Sequence, residues 1–141
     1  MPHDLIDLCK YRFELGKDSL GSSRTLFNKN DLRGSLNRSY YAIFYLARAL
    51  LALKQLETKK HSGLVATFIK EYVAPGIFDK ELSSIIKNAQ KIRIESDYED
   101  FYIVSSETVR EQIEKADKFY KEVKKYLETQ LDISLDQQKK E

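Results

Sequence analysis

Apolar side chains recur every three or four residues along most of the chain, which is the spacing of helices that bury one face. The pattern is clearest over residues 32–53, where one seam contains Leu32, Leu36, Tyr40, Ile43, Ala47 and Leu50. Asn30 or Asp31 stands just before this seam, and either side-chain oxygen can cap a helix. No β-branched run alternates with period two, so the pattern predicts helices without a sheet.

Two further helices are expected on either side of this segment. The first covers about residues 5–27, where Gly16 and Gly21 lower the helical propensity of its middle. The third can be capped by Thr58 and should end at Pro75, because proline lacks the backbone N–H of a helical hydrogen bond. The apolar face of this third helix is predicted to contain Leu64, Val65, Phe68, Ile69 and Tyr72.

A fourth and a fifth helix complete the pattern. Asp79 can cap the fourth helix, whose buried face is predicted to contain Leu82, Ile85, Ile86 and Ala89. Residues 96–106 lack a helical period and are predicted to form a loop, after which Ser105 or Ser106 caps the last helix. The seam of that last helix is predicted to contain Val109, Ile113, Ala116, Tyr120, Val123 and Leu127.

These elements predict an all-α fold, an antiparallel bundle of four to five helices. A chain of 141 residues fits one domain and can bury a core without disulfides or metals. The domain is expected to span residues 1–128. Residues 129–141 are mainly polar, and we expect them to form a frayed C-terminal tail.

Composition narrows the classes of function. The 24 Lys and Arg residues nearly balance the 22 Asp and Glu residues, so nucleic acid would have to bind a local patch of the surface. Cys9 is the only cysteine, which excludes an internal disulfide and a cysteine-rich zinc site. No apolar run is long enough to span a membrane and the N-terminus lacks a signal-peptide pattern, so a cytoplasmic protein without a membrane partner is expected.

Motifs for a phosphate-binding loop, a dinucleotide-binding fold and a zinc protease are all absent from the sequence. The only histidines, His3 and His61, lie far apart in sequence. Carboxylates that share a helix face, such as Glu107 and Glu111, alternate with basic residues as they do on an ordinary solvated helix. Neither a metal site nor a bound cofactor is therefore expected.

The segment NRSYYAIFYLAR, residues 37–48, carries the most informative polar side chains. Arg38, Tyr41, Tyr45 and Arg48 are spaced by three, four and three residues, which places them on one face of a helix. Guanidinium groups suit phosphate oxygens, and tyrosine offers a ring for base stacking and a hydroxyl donor. The same side chains could instead serve packing, with the phenols at the rim of the core and the guanidinium groups bonded to neighbouring carboxylates.

Three segments in order, NRSYYAIFYLARALL, KKHSGLVATFIKEYV and RIESDY, resemble the HEPN family of small helical domains. The resemblance extends from about Leu5 to Leu127, and it is closest to the short prokaryotic branch whose members often accompany a minimal nucleotidyltransferase. It implies a bundle of four or five helices that forms a homodimer, with a polar cleft between the two copies of the second helix. It also implies RNA or a nucleotide as the ligand, and a nucleotidyltransferase as a possible partner in a toxin-antitoxin pair.

Many HEPN proteins are metal-independent endoribonucleases with an arginine, four to six intervening residues and a histidine on this helix. Arg38 matches the arginine and Asn37 the polar residue before it, but Tyr45 stands where the histidine would be expected. A free phenol titrates at about pH 10 and is a poor general base near neutrality. His61, in a basic turn with Lys60, is the other candidate for moving a proton, and a surface or capping role is its alternative.

Three functions are compatible with the resemblance. The favoured one is an RNA- or nucleotide-binding module without strong catalysis; the alternatives are a non-catalytic dimeric interaction module and a weak metal-independent endoribonuclease. In RIESDY, Arg93 is expected to pair with a carboxylate and Tyr98 to fold onto the bundle. The candidate catalytic residues are Arg38, Tyr45 and His61. The candidate ligand-binding residues are Asn37, Arg38, Tyr41, Tyr45, Arg48 and Lys60.

Overall fold

The computed structural model describes residues 3–58, 61–99 and 102–136. Over these ranges the chain forms five α-helices and one π-helical turn, without a strand. The elements are α1 His3–Asn28, α2 Leu32–Leu53, α3 His61–Phe68, the π-helical turn Ile69–Val73, α4 Lys80–Tyr98 and α5 Ser106–Leu131. The predicted all-α bundle is therefore confirmed, and the predicted third helix is divided into α3 and the π-helical turn.

The first two helices form an antiparallel hairpin with a tight turn. Asn30 takes a left-handed conformation with φ 64°, and Asp31 caps α2 by accepting a hydrogen bond from the Gly34 amide at 2.9 Å. Next to the turn, the hydroxyls of Ser23 and Ser35 each donate to the backbone carbonyl oxygen of the other residue at 2.7 Å. These reciprocal bonds satisfy two buried hydroxyls and hold the register of the hairpin.

Further from the turn, α1 and α2 approach each other closely at Gly16. A Cβ atom on Gly16 would lie 2.8 Å from Cγ of Leu46 and 3.2 Å from the carbonyl oxygen of Ala42. Near the start of α1, Arg12 donates from Nη1 to the carbonyl oxygen of Arg48 at 3.2 Å. Helix α1 thus covers one side of α2 along most of its length.

Helix α5 packs against both members of the hairpin and against α4, while α3 and α4 lie against another side of α2. Four residues of the predicted α5 seam are buried, while Ile113 and Tyr120 are half-buried and pack against the core beside the enclosed Gln112 and Phe119. A helix that contacts three neighbours buries a face wider than one seam. The buried residues of α5 are Val109, Gln112, Ala116, Phe119, Val123 and Leu127.

Helix α4 is longer than predicted, because it continues to Tyr98 and so includes the start of the segment 96–106 that was expected to be a loop. A residue distant in sequence stabilises its last turn. The Arg33 guanidinium donates to the carbonyl oxygens of Ser96 at 3.1 Å and of Tyr102 at 2.9 Å. The side chain of Tyr98 is 72% exposed, so the expected packing of its ring onto the bundle does not occur.

Two element ends also differ from the prediction. The Thr58 hydroxyl is buried without a hydrogen-bond partner among the described residues, and α3 begins three residues later. At the other end, α5 continues to Leu131, and the Leu135 amide donates to Oε2 of Glu128 at 2.7 Å. Helix α5 thus includes the first residues of the segment 129–141, and residues 137–141 lie outside the described part of the chain.

Candidate functional site

Helix α2 carries its polar residues on a strip that the neighbouring helices leave partly uncovered. We define the α2 stripe by five half-buried residues, Asn37, Arg38, Tyr41, Tyr45 and Arg48. The rest of the helix from residue 35 to residue 53 is buried, which fixes the backbone beneath the stripe. All the stripe residues that were predicted from the helical spacing therefore share one accessible face.

Arg38 is held by a neutral partner. Asn37 Oδ1 accepts hydrogen bonds from Arg38 Nε at 3.2 Å and from Nη2 at 2.9 Å, and the guanidinium carbon lies 5.0 Å from the centre of the Tyr41 ring. Among the described residues, no carboxylate forms an ion pair with Arg38. The side chain is therefore oriented by an amide and a ring, neither of which cancels its positive charge.

Arg48, at the other end of the stripe, is in a different electrostatic environment. Its Nη2 lies 3.5 Å from Oε1 of Glu57, and Arg12 donates to the same carboxylate at 3.2 Å. Arg48 thus matches the packing interpretation of the sequence, in which an arginine of the stripe bonds a carboxylate. The two arginines that looked equivalent in the sequence are not equivalent in the fold.

Aromatic contacts connect the stripe to α4. The Tyr41 ring lies 6.2 Å from that of Tyr45 and 4.5 Å, edge to face, from that of the buried Tyr40. The Arg93 guanidinium carbon lies 5.0 Å from the centre of the Tyr40 ring. Arg93 Nε is 3.5 Å from Asp97 Oδ2, which confirms the expected carboxylate partner, although this distance is too long for a hydrogen bond.

The Tyr40 hydroxyl stays protonated at neutral pH. Burial raises the pKa of Tyr40, and this effect exceeds the opposing influence of the nearby Arg93 charge. Tyr40 therefore acts as a neutral support between Arg93 and the Tyr41 ring, and it supplies no base to the site.

Two grooves border the stripe. The first has a volume of about 300 Å³ and is lined by Tyr41, Phe44, Tyr45, Arg48 and Leu64. The second, which we call the α1 groove, has a volume of about 560 Å³ and is lined by Gly21, Ser22, Thr25, Leu26 and Arg38. The α1 groove was not predicted from the sequence, in which Gly21 indicated only a low helical propensity.

The remaining predicted residues are placed only in part. Lys60 lies outside the described residues, and of His61 only the backbone is described, as the first residue of α3. Leu64, one turn further along α3, lines the first groove together with Tyr45. The backbone of α3 therefore starts beside the stripe.

Two general properties bear on the class of site. Within the described residues, no three His, Cys, Asp or Glu side chains come close enough together to hold a metal ion. None of the helices in this part of the chain has the length and the apolar character needed to cross a membrane.

A family model described as HEPN domain matches residues 9–126. The chain belongs to the HEPN family. The family predicted from the three sequence segments is thereby confirmed, and the matched residues include the whole α2 stripe and both grooves.

Three curated relatives match between 60% and 86% of the chain. A UPF0332 protein of Thermotoga maritima is 32% identical over 121 residues, which are 86% of this chain and 92% of that protein. A protein of Methanocaldococcus jannaschii whose name marks it as a candidate toxin is 33% identical over 114 residues, 81% of this chain and 78% of its own length. A second protein with such a name, from the same organism, is 34% identical over 85 residues, 60% of this chain and 63% of its own.

Proposed function

We propose that this HEPN protein is a toxin-like module that binds single-stranded RNA at the α2 stripe, with Arg38 as the main phosphate ligand. The observation that carries the proposal is the pairing of Arg38 with the neutral amide of Asn37. An arginine whose charge is not cancelled by a carboxylate retains its attraction for a phosphate. The names of two relatives support the toxin-like role.

The geometry of the guanidinium fits this role. Asn37 occupies the Nε side of the fork, which leaves Nη1 for the oxygens of a phosphate. Tyr41 and Tyr45 border the adjacent groove and offer ring faces on which an unpaired base can stack. The ligand class is therefore a nucleotide or a single strand, since a base inside a duplex has no free face to stack.

Catalysis is the weaker part of the function. Tyr45 occupies the position at which the family resemblance predicts the histidine of a ribonuclease. Loss of a general acid or base lowers a rate by roughly 100- to 10,000-fold. The proposal is therefore a binding module, whose residual activity, if measurable, is metal-independent cleavage of RNA.

RNA binding by variants of Arg38 tests the proposal. Arg38→Ala should weaken binding of a labelled mixed-sequence RNA about tenfold or more, because it removes a charged hydrogen-bond donor. It should also reduce the slope of log affinity against log salt by about 0.7, the contribution of one phosphate contact in a single strand. Arg38→Lys keeps the charge but loses the planar fork of donors, so its RNA affinity should lie between those of the unmodified protein and Arg38→Ala.

Lys125→Ala is the matched control for charge. Lys125 borders Phe78 and Tyr126. The rings of these two residues pack against Tyr72, which donates a hydrogen bond to the Leu50 carbonyl oxygen near the C-terminal end of α2. That end of α2 lies roughly 18 Å from Arg38 along the helix axis. If Lys125→Ala weakens RNA binding as much as Arg38→Ala does, binding is a non-specific charge effect and the proposed site is wrong.

Cleavage of the same RNA in EDTA addresses the role of Tyr45. Tyr45→His should introduce cleavage that Arg38→Ala abolishes in the double variant. Cleavage by the unmodified protein that is lost in Tyr45→Phe would instead make Tyr45 a working proton carrier and the protein an endoribonuclease.

A protein-interaction function is the second candidate, and exposed apolar side chains favour it. Ile94 and Tyr98 lie one turn apart on α4 and are 46% and 72% exposed, and Ile103 in the following loop is 87% exposed. A second copy of the chain, as the family resemblance implies, would cover such residues. Sedimentation of Tyr98→Asp and Ile103→Asp tests this: a dimeric protein that stays dimeric in both variants does not use this surface.

A further inference from the structure

The α1 groove lies between Arg38 on α2 and the stretch of α1 from Gly21 to Leu26, whereas the first groove is bordered by Leu64 of α3. Its volume of about 560 Å³ falls within the range of about 300 to 1,000 Å³ that is typical of small-molecule pockets. Arg38 forms one wall, and the other wall consists of side chains from a single stretch of α1. The proposed function uses Arg38 but leaves this groove empty.

Gly21 keeps the α1 groove open. A glycine inside a helix lowers its stability relative to alanine, so its presence calls for a reason. Gly16 has a packing reason, because its missing Cβ lets α1 approach α2 closely. A Cβ on Gly21, in contrast, would meet no atom within 4 Å. Packing therefore does not require a glycine at position 21, and a larger side chain there would extend into the groove.

The lining of the groove combines three kinds of chemistry. Leu26 is half-buried and offers an apolar surface, while Ser22 and Thr25 are exposed and carry hydroxyls. The Thr25 hydroxyl donates to the carbonyl oxygen of Gly21 at 3.1 Å and can still accept a hydrogen bond. An apolar surface, hydroxyls and an adjacent cation match the base, the ribose and the phosphate of a nucleotide.

We propose that the α1 groove is a second nucleotide subsite, so that the protein binds at least two consecutive nucleotides of a single-stranded RNA. The inference rests on the proposed function, because Arg38 holds the phosphate between the two nucleotides. One base then stacks in the groove of Tyr41 and Tyr45, and the next base lies in the α1 groove. The two bases must be splayed apart to enter two separate grooves, which selects an unpaired and flexible strand.

A side chain that fills the α1 groove tests this subsite. Gly21→Leu adds an apolar side chain at an open position and raises helical propensity, so the fold should be retained. Binding of the dinucleotide pUpU and of the mononucleotide UMP is measured for the protein and the variant by titration in a nuclear magnetic resonance experiment. Gly21→Leu should weaken pUpU binding about fivefold or more while UMP binding changes by less than about twofold.

Two further variants serve as controls. Gly21→Ala adds only a methyl group and should leave both affinities nearly unchanged. Thr25→Leu fills the same groove from one turn further along α1, and it should reproduce the selective loss of pUpU binding. Agreement between the two filling variants separates occupation of the groove from any local effect at Gly21.

The results of these titrations distinguish failure of the second subsite from failure of the proposed function. If Arg38→Ala weakens binding of both ligands but Gly21→Leu weakens neither, or weakens both equally, the proposed function stands and the second subsite is wrong. If Arg38→Ala weakens neither ligand, the proposed function fails and the subsite fails with it. A change in the oligomeric mass of Gly21→Leu without a change in pUpU affinity would assign the groove to a contact with a second protein chain and overturn the subsite.

Discussion

Replacement of two glycines in the same helix provides a sensitive test of the packing between α1 and α2. Gly16→Ala would place a Cβ 2.8 Å from Cγ of Leu46 and 3.2 Å from the carbonyl oxygen of Ala42, whereas Gly21→Ala would meet no neighbour within 4 Å. Both changes increase helical propensity by the same amount. Their difference in stability therefore reports the steric conflict at Gly16.

The magnitudes follow from two opposing effects. Alanine in place of glycine inside a helix adds roughly 0.5–1 kcal/mol to the free energy of unfolding. Overpacking of a closely packed interface costs about 1–3 kcal/mol, and the backbone oxygen of Ala42 cannot move aside as a flexible side chain can. Gly21→Ala should therefore be more stable than the unmodified protein, and Gly16→Ala should be less stable than Gly21→Ala by about 1–3 kcal/mol.

Urea unfolding followed by circular dichroism measures both variants. With a slope of about 1–3 kcal/mol per molar urea, the expected difference is a readily measured shift of the midpoint. Equal slopes are needed for the comparison, because a changed slope indicates a change in the denatured state. If Gly16→Ala is as stable as Gly21→Ala, the close approach of α1 to α2 at this position is wrong, and the shape of the α1 groove is wrong with it.

Three further predictions concern the core and the support of the site. Ser23→Ala and Ser35→Ala should each lower the free energy of unfolding by about 1–2 kcal/mol in urea, and the double variant by less than their sum, because the two hydroxyls form one reciprocal pair. Titration of Cys9 and Tyr72 should leave the free energy of unfolding unchanged below about pH 9 and lower it at higher pH. Burial raises the pKa of Cys9 from 9.0 to about 12 and also raises that of Tyr72, so the unfolded chain releases protons that the folded chain retains. A urea midpoint that is constant from pH 8 to pH 10.5 would contradict this, and Cys9→Ala should flatten the decline. Arg93→Ala should weaken RNA binding through loss of the support under the tyrosine rings, with partial rescue by Arg93→Lys; an unchanged affinity would show that α4 does not position the stripe.

The elements that depend on neighbours in sequence were predicted well. Asp31, Asp79 and Ser105 each cap the helix that the sequence assigned to them, because a capping side chain reaches backbone amides only one to three residues away. The apolar spacing predicted the helices for a similar reason. The alignment of Arg38, Tyr41, Tyr45 and Arg48 on one face also needed only the helical repeat.

Element ends were less predictable where distant residues stabilise them. The final turn of α4 contains Ser96 and Tyr98, whose local sequence resembles a loop, but Arg33 binds the Ser96 carbonyl oxygen from α2. The burial of Gln112 and Phe119 beside the predicted α5 seam depends on the number of helices that contact α5. Neither effect has a signal in the sequence immediately around those residues.

The sequence by itself determined the fold class, the family and the face of α2 that carries the candidate site. Only the tertiary structure distinguished Arg38, which bonds a neutral amide, from Arg48, which lies 3.5 Å from the carboxylate of Glu57. Only the packing of α1 beside α2 created the groove at Gly21. The physical reason is that helical periodicity is a local property of the chain, whereas the charge that surrounds a side chain and the space beside it depend on which distant residues the fold brings into contact.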